Sequence, residues 1–494
     1  VSYFAPKSPG KRATATEAER TLQNIWSRAL GIPADQIGVE DSFFRLGGDS
    51  ISALQATSQA RAVGIDHSVG DLFRWRTILQ VAKHHAQSPE LDRSKNPNVE
   101  AVYPCTPAQR GILLNQMRND TNYVTHFIWE VNDLLLSQQD GPAVDLNRLA
   151  SAWKQVVAWH AALRAAFQPD FTKDSQFEQV IFRNVEPPMV VLHVGVHDDQ
   201  PGVPPASNTS CATVTRHDGQ AVPHQFTICI TPSGRVVCRL DINHVIIDAM
   251  SLAILQRDLC RAYSESTKGG TPNDAYQKYV MFVQEQPREE AVEYWRFYLE
   301  DMQPVSLPAP RATTEDVCPE SLDLLEITLS HRGADLETFC RSTDWTAPNL
   351  LYLAWALTLS AFTGADDVCF GTFTSGRMIP IPHLDEEVGQ FSNMSICRIR
   401  LASQLTLDQI ALSLQQNYSE VLSYQTFPLA DIATAAGVTM EDLASTAVNV
   451  QYATPTVPSN QDKRPLLNLT PLHGLDPIPV SYPIPCDIFL VFDF

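Results

Sequence analysis

Asp241-Ile242-Asn243-His244-Val245-Ile246-Ile247-Asp248-Ala249-Met250-Ser251 is the stretch on which the reading of this chain turns. Before it, in Val236–Leu240, apolar and polar residues partly alternate, as in a strand with one buried face. After it, the apolar residues of Leu252–Tyr263 recur at helical spacing. His244 and Asp248 therefore stand where a strand hands over to a helix. There, rigid elements hold the side chains and a loop exposes them. His244 titrates near neutral pH and is a candidate general base. Asp248 lies between Ile247 and Ala249, so its carboxylate needs a cationic or hydrogen-bonding partner. One histidine and one aspartate four residues apart are more often structural than catalytic. The rest of the chain has to decide.

A length of 494 residues allows two to four domains, and 44% apolar residues suit globular domains with proper cores. The formal net charge of −20 disfavours nucleic acid and anionic membranes as partners, since both need a positive surface. No apolar run reaches the ~18 residues of a membrane helix. Val1–Ala13 is basic and contains proline, without the apolar core of a signal peptide. A cytoplasmic location is expected. The ten cysteines are scattered, with no C-x-x-C and no Cys/His zinc spacing. They read as small buried hydrophobes in a reducing compartment, and no metal is expected. The 34 prolines gather in loops, notably at 187–205, 304–310 and 455–485.

Residues 1–13 read as a linker. Thr16-Glu17-Ala18-Glu19 is a capping box, and Leu22, Ile25, Trp26, Ala29 and Leu30 make a helical stripe ended by Gly31 and Pro33. Leu46-Gly47-Gly48-Asp49-Ser50 opens a second helix through Ala62, and a last helix runs over Ile78–His85. The spacing predicts a compact all-α unit over 14–88, small but able to fold alone. Residues 89–101 read as an interdomain linker. Taken alone, Gly47–Ser50 is a turn followed by an N-cap. A phosphate ester on Ser50 would meet the positive end of the helix dipole.

The chain then changes to mixed α/β. Tyr103–Leu113 starts a helix, Phe127–Leu136 is a strand, and Leu146–Phe167 is a long helix. Strands are expected at 177–183 and 189–194, with a hairpin over 225–243 turning at Pro232-Ser233-Gly234. Helices follow at 250–264, 275–284 and 288–299. A strand near 322–329 opens a second half. It continues with a helix over Pro348–Thr363, strands at Asp367–Thr374 and 392–400, and a helix at 407–424. Strands at 447–452 and Ile488–Phe494 end the chain.

Asp41-Ser42-Phe43-Phe44-x-Leu46-Gly47-Gly48-Asp49-Ser50-x-x-Ala53 closely resembles the thiolation motif of the carrier domains of nonribosomal peptide synthetases. That resemblance covers about 1–88 and implies a four-helix fold with 4′-phosphopantetheine on Ser50. Five further stretches resemble the condensation domains of the same synthetases, in the family's order. They are Pro104–Gly111, His160–Phe167, Asn243–Ser251, Gly376-Arg377 and Val388–Asn393. This implies the two-lobed chloramphenicol-acetyltransferase-like fold, with its active site in a tunnel between lobes. The expected lobes are 102–270 and 271–494, the second incomplete at its C-terminal end.

The family signature is two histidines, three residues, aspartate and glycine. By resemblance, His244 falls on the histidine used for chemistry. Asp248 falls on an aspartate that pairs with an arginine, and Arg377, in a matching motif, is the candidate partner. Asn243 and Ala249 depart from the signature. Both departures resemble the terminal domains of fungal synthetases, which release the peptide by cyclisation. The expected substrate is a peptidyl thioester. Expected partners are a phosphopantetheinyl transferase and upstream adenylation and condensation domains. The alternatives are an elongating condensation domain and a degenerate docking scaffold.

Overall fold

The computed structural model of the chain describes residue 14, residues 16–48, part of 52–72, and residues 75–85, 97–116, 122–133 and 144–169. It further describes 177–193, 222–264 without 232, 274–307 without 306, 333–451 without 344, 466–471 and 488–493. The first unit begins with α1 (Glu17–Leu30), capped by Thr16 and Glu19 as a reciprocal box and stopped by Gly31 at φ 66°. Its Leu22, Ile25 and Trp26 pack with Ile37, Val39 and Phe43 and with Ile78 and Val81 of α2 (Ile78–His85). Trp26 meets Phe43 edge-on, ring centroids 4.8 Å apart. That packing anchors the turn ahead of Ser50. Gly47 has φ 96°, and a Cβ on Gly48 would lie 2.3 Å from the Phe43 ring. Glycine is therefore required at both positions. Asp49 and Ser50 themselves lie outside the described residues.

The first lobe contains β1 (Val99–Pro104), α3 (Pro107–Gln116), β2 (Val124–Asp133), α4 (Leu146–Trp159), β3 (Ala165–Pro169), β4 (Phe177–Phe182), β5 (Met189–His193), β6 (His224–Ile230), β7 (Val236–Asn243) and α5 (Ala249–Ser264). One antiparallel sheet has the order β1-β4-β3. In the main sheet β7 lies between β2 and β6, antiparallel to both. The β6–β7 hairpin closes with Gly234 at φ 80° and a Thr231 N–H to Arg235 carbonyl bond of 2.9 Å. Strand alternation divides β7. Val236, Cys238, Leu240 and Ile242 join the core with Trp153, Phe226, Ile254 and Leu259, so Arg239, Asp241 and Asn243 point to the other face.

The second lobe contains α6 (Ala275–Glu285), α7 (Arg288–Tyr298), α8 (Gly333–Thr343), α9 (Ala347–Thr363), β8 (Asp367–Thr374), β9 (Asn393–Arg400), α10 (Leu407–Ser423), α11 (Leu429–Ala436) and β10 (Thr446–Gln451). Leu353, Ala356 and Leu359 of α9 pack with Phe370, Ile399, Leu414 and Val448. After β10 the chain supplies β11 (Leu467–Pro471), antiparallel to β2 in the first lobe, and then β12 (Ile488–Asp493), parallel to β10. The sheets therefore read β11-β2-β7-β6-β5 and β12-β10-β8-β9.

Four expectations need correction or restriction. The helix expected to reach Phe167 ends at Trp159. His160 is extended (φ −105°, ψ 114°), its ring nitrogen lies 3.0 Å from Asp258, and Ala165–Pro169 pairs with β4. Val99–Ala101, expected as linker, belongs to β1 because β4 offers it an edge. Leu467–Pro471 lies in the range assigned to the second lobe but extends the first lobe's sheet. The strand near 322–329 lies outside the described residues.

Candidate functional site

β7 stops at Asn243 because the chain turns there around the asparagine side chain. Asn243 Oδ1 accepts from the Val245 N–H at 2.9 Å, while its own N–H donates to the Pro223 carbonyl at 3.0 Å. This is an Asx-type turn, a job the short amide does well. Asn243 Nδ2 is buried and finds no partner among the described residues. The His244 N–H donates to the Tyr123 carbonyl at 2.8 Å, fixing the loop to the chain entering β2. Val245, Ile246 and Ile247 are buried in the first lobe's core. Between Asp241 and Asp248, His244 alone keeps some exposed surface.

Protein packed around the His244 ring lowers its pKa to about 4, and the Asp248 charge and a backbone contact at Ile247 only partly oppose that. At neutral pH the ring is uncharged, with a lone pair to offer as an acceptor.

Asp248 is buried and fully bonded. Its Oδ1 accepts from Arg377 Nη2 at 2.8 Å, from the Ser251 N–H at 2.8 Å and from Ser251 Oγ at 2.6 Å. Its Oδ2 accepts from Arg377 Nε and Nη2, both at 3.1 Å. Arg377 uses its remaining nitrogen, Nη1, on the carbonyls of Leu384 at 2.7 Å and Glu387 at 2.8 Å. The guanidinium also lies 4.2 Å from the centroid of the Phe391 ring. The preceding Gly376 has φ 65°, and a Cβ there would lie 1.9 Å from the Phe391 carbonyl. Only glycine lets the chain deliver Arg377 to this place.

This ion pair joins the lobes, and Ser251 strengthens the joint. Its Oγ accepts from Arg377 Nη2 at 2.9 Å and from the Gly389 N–H at 3.1 Å. Its single proton goes to Asp248 at 2.6 Å in preference to the Gly389 carbonyl at 3.0 Å. The Val388–Asn393 segment is thus tied to the end of the His244 loop. Ser392 in that segment has no histidine–aspartate context for a nucleophile. Among the described residues no group of side chains is arranged to hold a metal ion.

The structure thus brings Asn243, His244, Asp248 and Arg377 to one loop. Ser50 lies outside the described residues, and the ordered turn through Gly48 is what can be seen of its approach. Sequence reasoning did not single out Gln109 as a site residue. Its Nε2 donates to the Val245 carbonyl at 2.9 Å and to the Tyr276 hydroxyl at 2.7 Å. Its place in the Pro104–Gly111 motif was the available signal, but its partners lie 136 and 167 residues away.

A family model described as Condensation domain matches residues 99–466, and one described as Phosphopantetheine attachment site matches residues 20–84. Nonribosomal peptide synthetase 8 of Aspergillus fumigatus is 30% identical over 94% of this chain and 6% of its own length. Nonribosomal peptide synthetase tpzA of Aspergillus terreus is 31% identical, over 96% of this chain and 19% of its own length. D-lysergyl-peptide-synthetase subunit 1 of Epichloe festucae var. lolii is 32% identical, over 90% and 13%. The chain therefore spans a small part of each of these relatives.

Two solved structures share the fold. Holo-AB3403, a four-domain nonribosomal peptide synthetase, superposes with a TM-score of 0.54 at 17% identity, covering 74% of this chain and 27% of that one. The first condensation domain of the CDA synthetase gives 0.50 at 18% identity, covering 71% and 83%.

Proposed function

The chain belongs to the condensation-domain family of nonribosomal peptide synthetases, with a phosphopantetheine attachment domain ahead of it, and on that premise we propose that it forms an amide bond from a peptidyl thioester carried on Ser50, releasing the peptide by cyclisation. Phosphopantetheine, when attached, supplies a thiol that holds the acyl group as a thioester on a flexible arm. The two glycines before Ser50 fit that role, since they leave a tight turn into the attachment site.

The observation that carries the catalytic reading is a neutral His244 on a loop pinned between lobes by Arg377 and Asp248. In the reaction an amine nitrogen bonds to the thioester carbonyl carbon, the carbon–sulfur bond breaks, and the amine proton must leave. A ring that protonates only near pH 4 is a weak base at neutral pH. That favours His244 as a hydrogen-bond acceptor orienting the amine, with the proton passing to the leaving thiolate. Asp248 and Arg377 hold the loop and do not touch substrate.

Cyclisation is favoured by Asn243 and Ala249, the two departures from the family signature. Asn243 supports the turn with its amide, where the signature has a histidine. When the amine belongs to the same peptide, proximity supplies much of the acceleration. The implied partners are a phosphopantetheinyl transferase and upstream adenylation and condensation domains.

The test loads linear peptidyl-pantetheine thioesters of differing length onto Ser50 and looks for cyclic product with no added amine. Product that forms only with an amine-loaded second carrier moves the assignment to chain elongation. His244→Ala is expected to lower turnover by ~10²-fold, the cost of losing the orientation of a reacting group, while Ser50 loading stays normal. Retained turnover removes His244 from the mechanism.

A further inference from the structure

We propose that Gln109 is a positioning residue for His244, holding the near end of the catalytic loop as Arg377 holds the far end. This rests on the reading of His244 given above. Gln109 is wholly buried near the start of α3, and its side chain has four hydrogen-bonding capacities, all used. The two Nε2 protons go to Val245 and Tyr276; Oε1 accepts from the Thr106 N–H at 3.0 Å and from Gln179 Nε2 at 3.3 Å. A flipped amide would set oxygen against the Val245 carbonyl, so the orientation is forced.

The consequence for His244 is direct. Val245 has its N–H held by Asn243 Oδ1 and its carbonyl held by Gln109. His244 has its own N–H held by Tyr123. The peptide groups around the histidine are thus fixed in succession, and Gln109 supplies the one clamp that comes from α3.

The two clamps also meet. The Tyr276 ring lies so close to Gly389 that a Cβ there would sit 2.7 Å from it. Gly389 binds Ser251, and Ser251 binds Asp248. A closed path therefore runs from Val245 through Gln109, Tyr276, Gly389 and Ser251 to Asp248. It includes residues of both lobes. A misplacement of about 1 Å in a reacting group can cost ~10²-fold in rate. Loosening one clamp is enough to produce it.

Gln109→Met keeps the length and removes every polar contact. Its expected effect is a fall in kcat of at least tenfold, with KM within twofold and Ser50 loading normal. The substrates are the linear peptidyl-pantetheine panel, measured beside wild type and His244→Ala. Gln109→Glu retains the acceptor for Thr106 and Gln179 but loses the donors to Val245 and Tyr276. It is expected to show a similar kcat loss with a drop in melting temperature at least as large, since an acceptor oxygen then faces the Val245 carbonyl, and both variants are assayed at a temperature where circular dichroism shows them folded. A kcat within twofold of wild type in either folded variant, or a loss confined to KM, overturns the proposal while leaving His244 catalytic. Full turnover in His244→Ala overturns the catalytic reading and this proposal with it.

Discussion

Arg377 and Arg398 bind their aspartates in nearly the same way. Each directs Nε and Nη2 at one carboxylate, Asp248 for Arg377 and Asp367 for Arg398. Each spends Nη1 on two backbone carbonyls, Leu384 and Glu387 in one case, Tyr298 and Glu300 in the other. The surroundings differ. Arg398 and Asp367 lie on adjacent strands of one sheet, and the Asp367 side chain is 30% exposed. Arg377 and Asp248 come from different lobes, with side chains 3% and 2% exposed, and the aspartate closes the loop that carries His244. Fork-to-carboxylate geometry is thus a general way to satisfy an arginine. What it does for the molecule depends on what the carboxylate is attached to.

The comparison can be broken most sharply at Arg377. Arg377→Ala leaves Asp248 buried without its cation, and a loss of about 3–5 kcal/mol is expected in urea unfolding. Turnover should fall even at temperatures where the protein stays folded. The next test uses the two glutamates whose carbonyls the arginines bind. Glu300 is exposed, but Glu387 is buried, and burial raises its carboxyl to about 8 against the opposing pull of Arg377.

The folded state therefore holds a proton that the unfolded chain gives up above about 4.5. The contribution of the Glu387 carboxyl to stability should decline as pH rises from about 4.5 through 8, opposite in sign to the gain from the buried neutral His244 below about 6.5. Glu387→Gln should escape that decline, its advantage growing to the order of 4 kcal/mol at pH 8. Parallel curves for the two proteins would show that the Glu387 carboxyl is ordinary. The smallest effect belongs to Asp367→Ala. It should cost about 2 kcal/mol and leave kcat of the folded enzyme unchanged. A matching loss of kcat would erase the distinction between the two arginines.

Much of this frame is legible in local chemistry. Thr16 with Glu19 declares the start of α1, and Pro232-Ser233-Gly234 declares the β6–β7 turn. The alternation of β7 and the helical spacing after Ser251 place His244 at a strand-to-helix junction. The failures come where distant partners override local preference. Ala161-Ala162-Leu163-Arg164 keeps only a 3₁₀ turn after the extended His160, with Arg164 buried and bonded to Glu100 and the Phe182 carbonyl. Val99–Pro104 and Leu467–Pro471 become strands because β4 and β2 present edges to them. Gln109 is the same case at the site. Its residue type and helix position say nothing of the Val245 carbonyl, which only the folded chain brings to it.

β11 carries a consequence for anyone who would recombine these enzymes. The chain leaves the second sheet after β10, lays a strand along β2 of the first, and returns as β12 beside β10. The first lobe is therefore sewn with thread from the second lobe's half of the sequence. A chimera that joined one protein's first lobe to another's second would pair a native β2 with a foreign β11. Its edge register, from Asp133 opposite Leu467 to Trp129 opposite Pro471, would then be chosen by neither parent. Grafts that move both lobes together, with junctions outside this stitch, keep that seam intact.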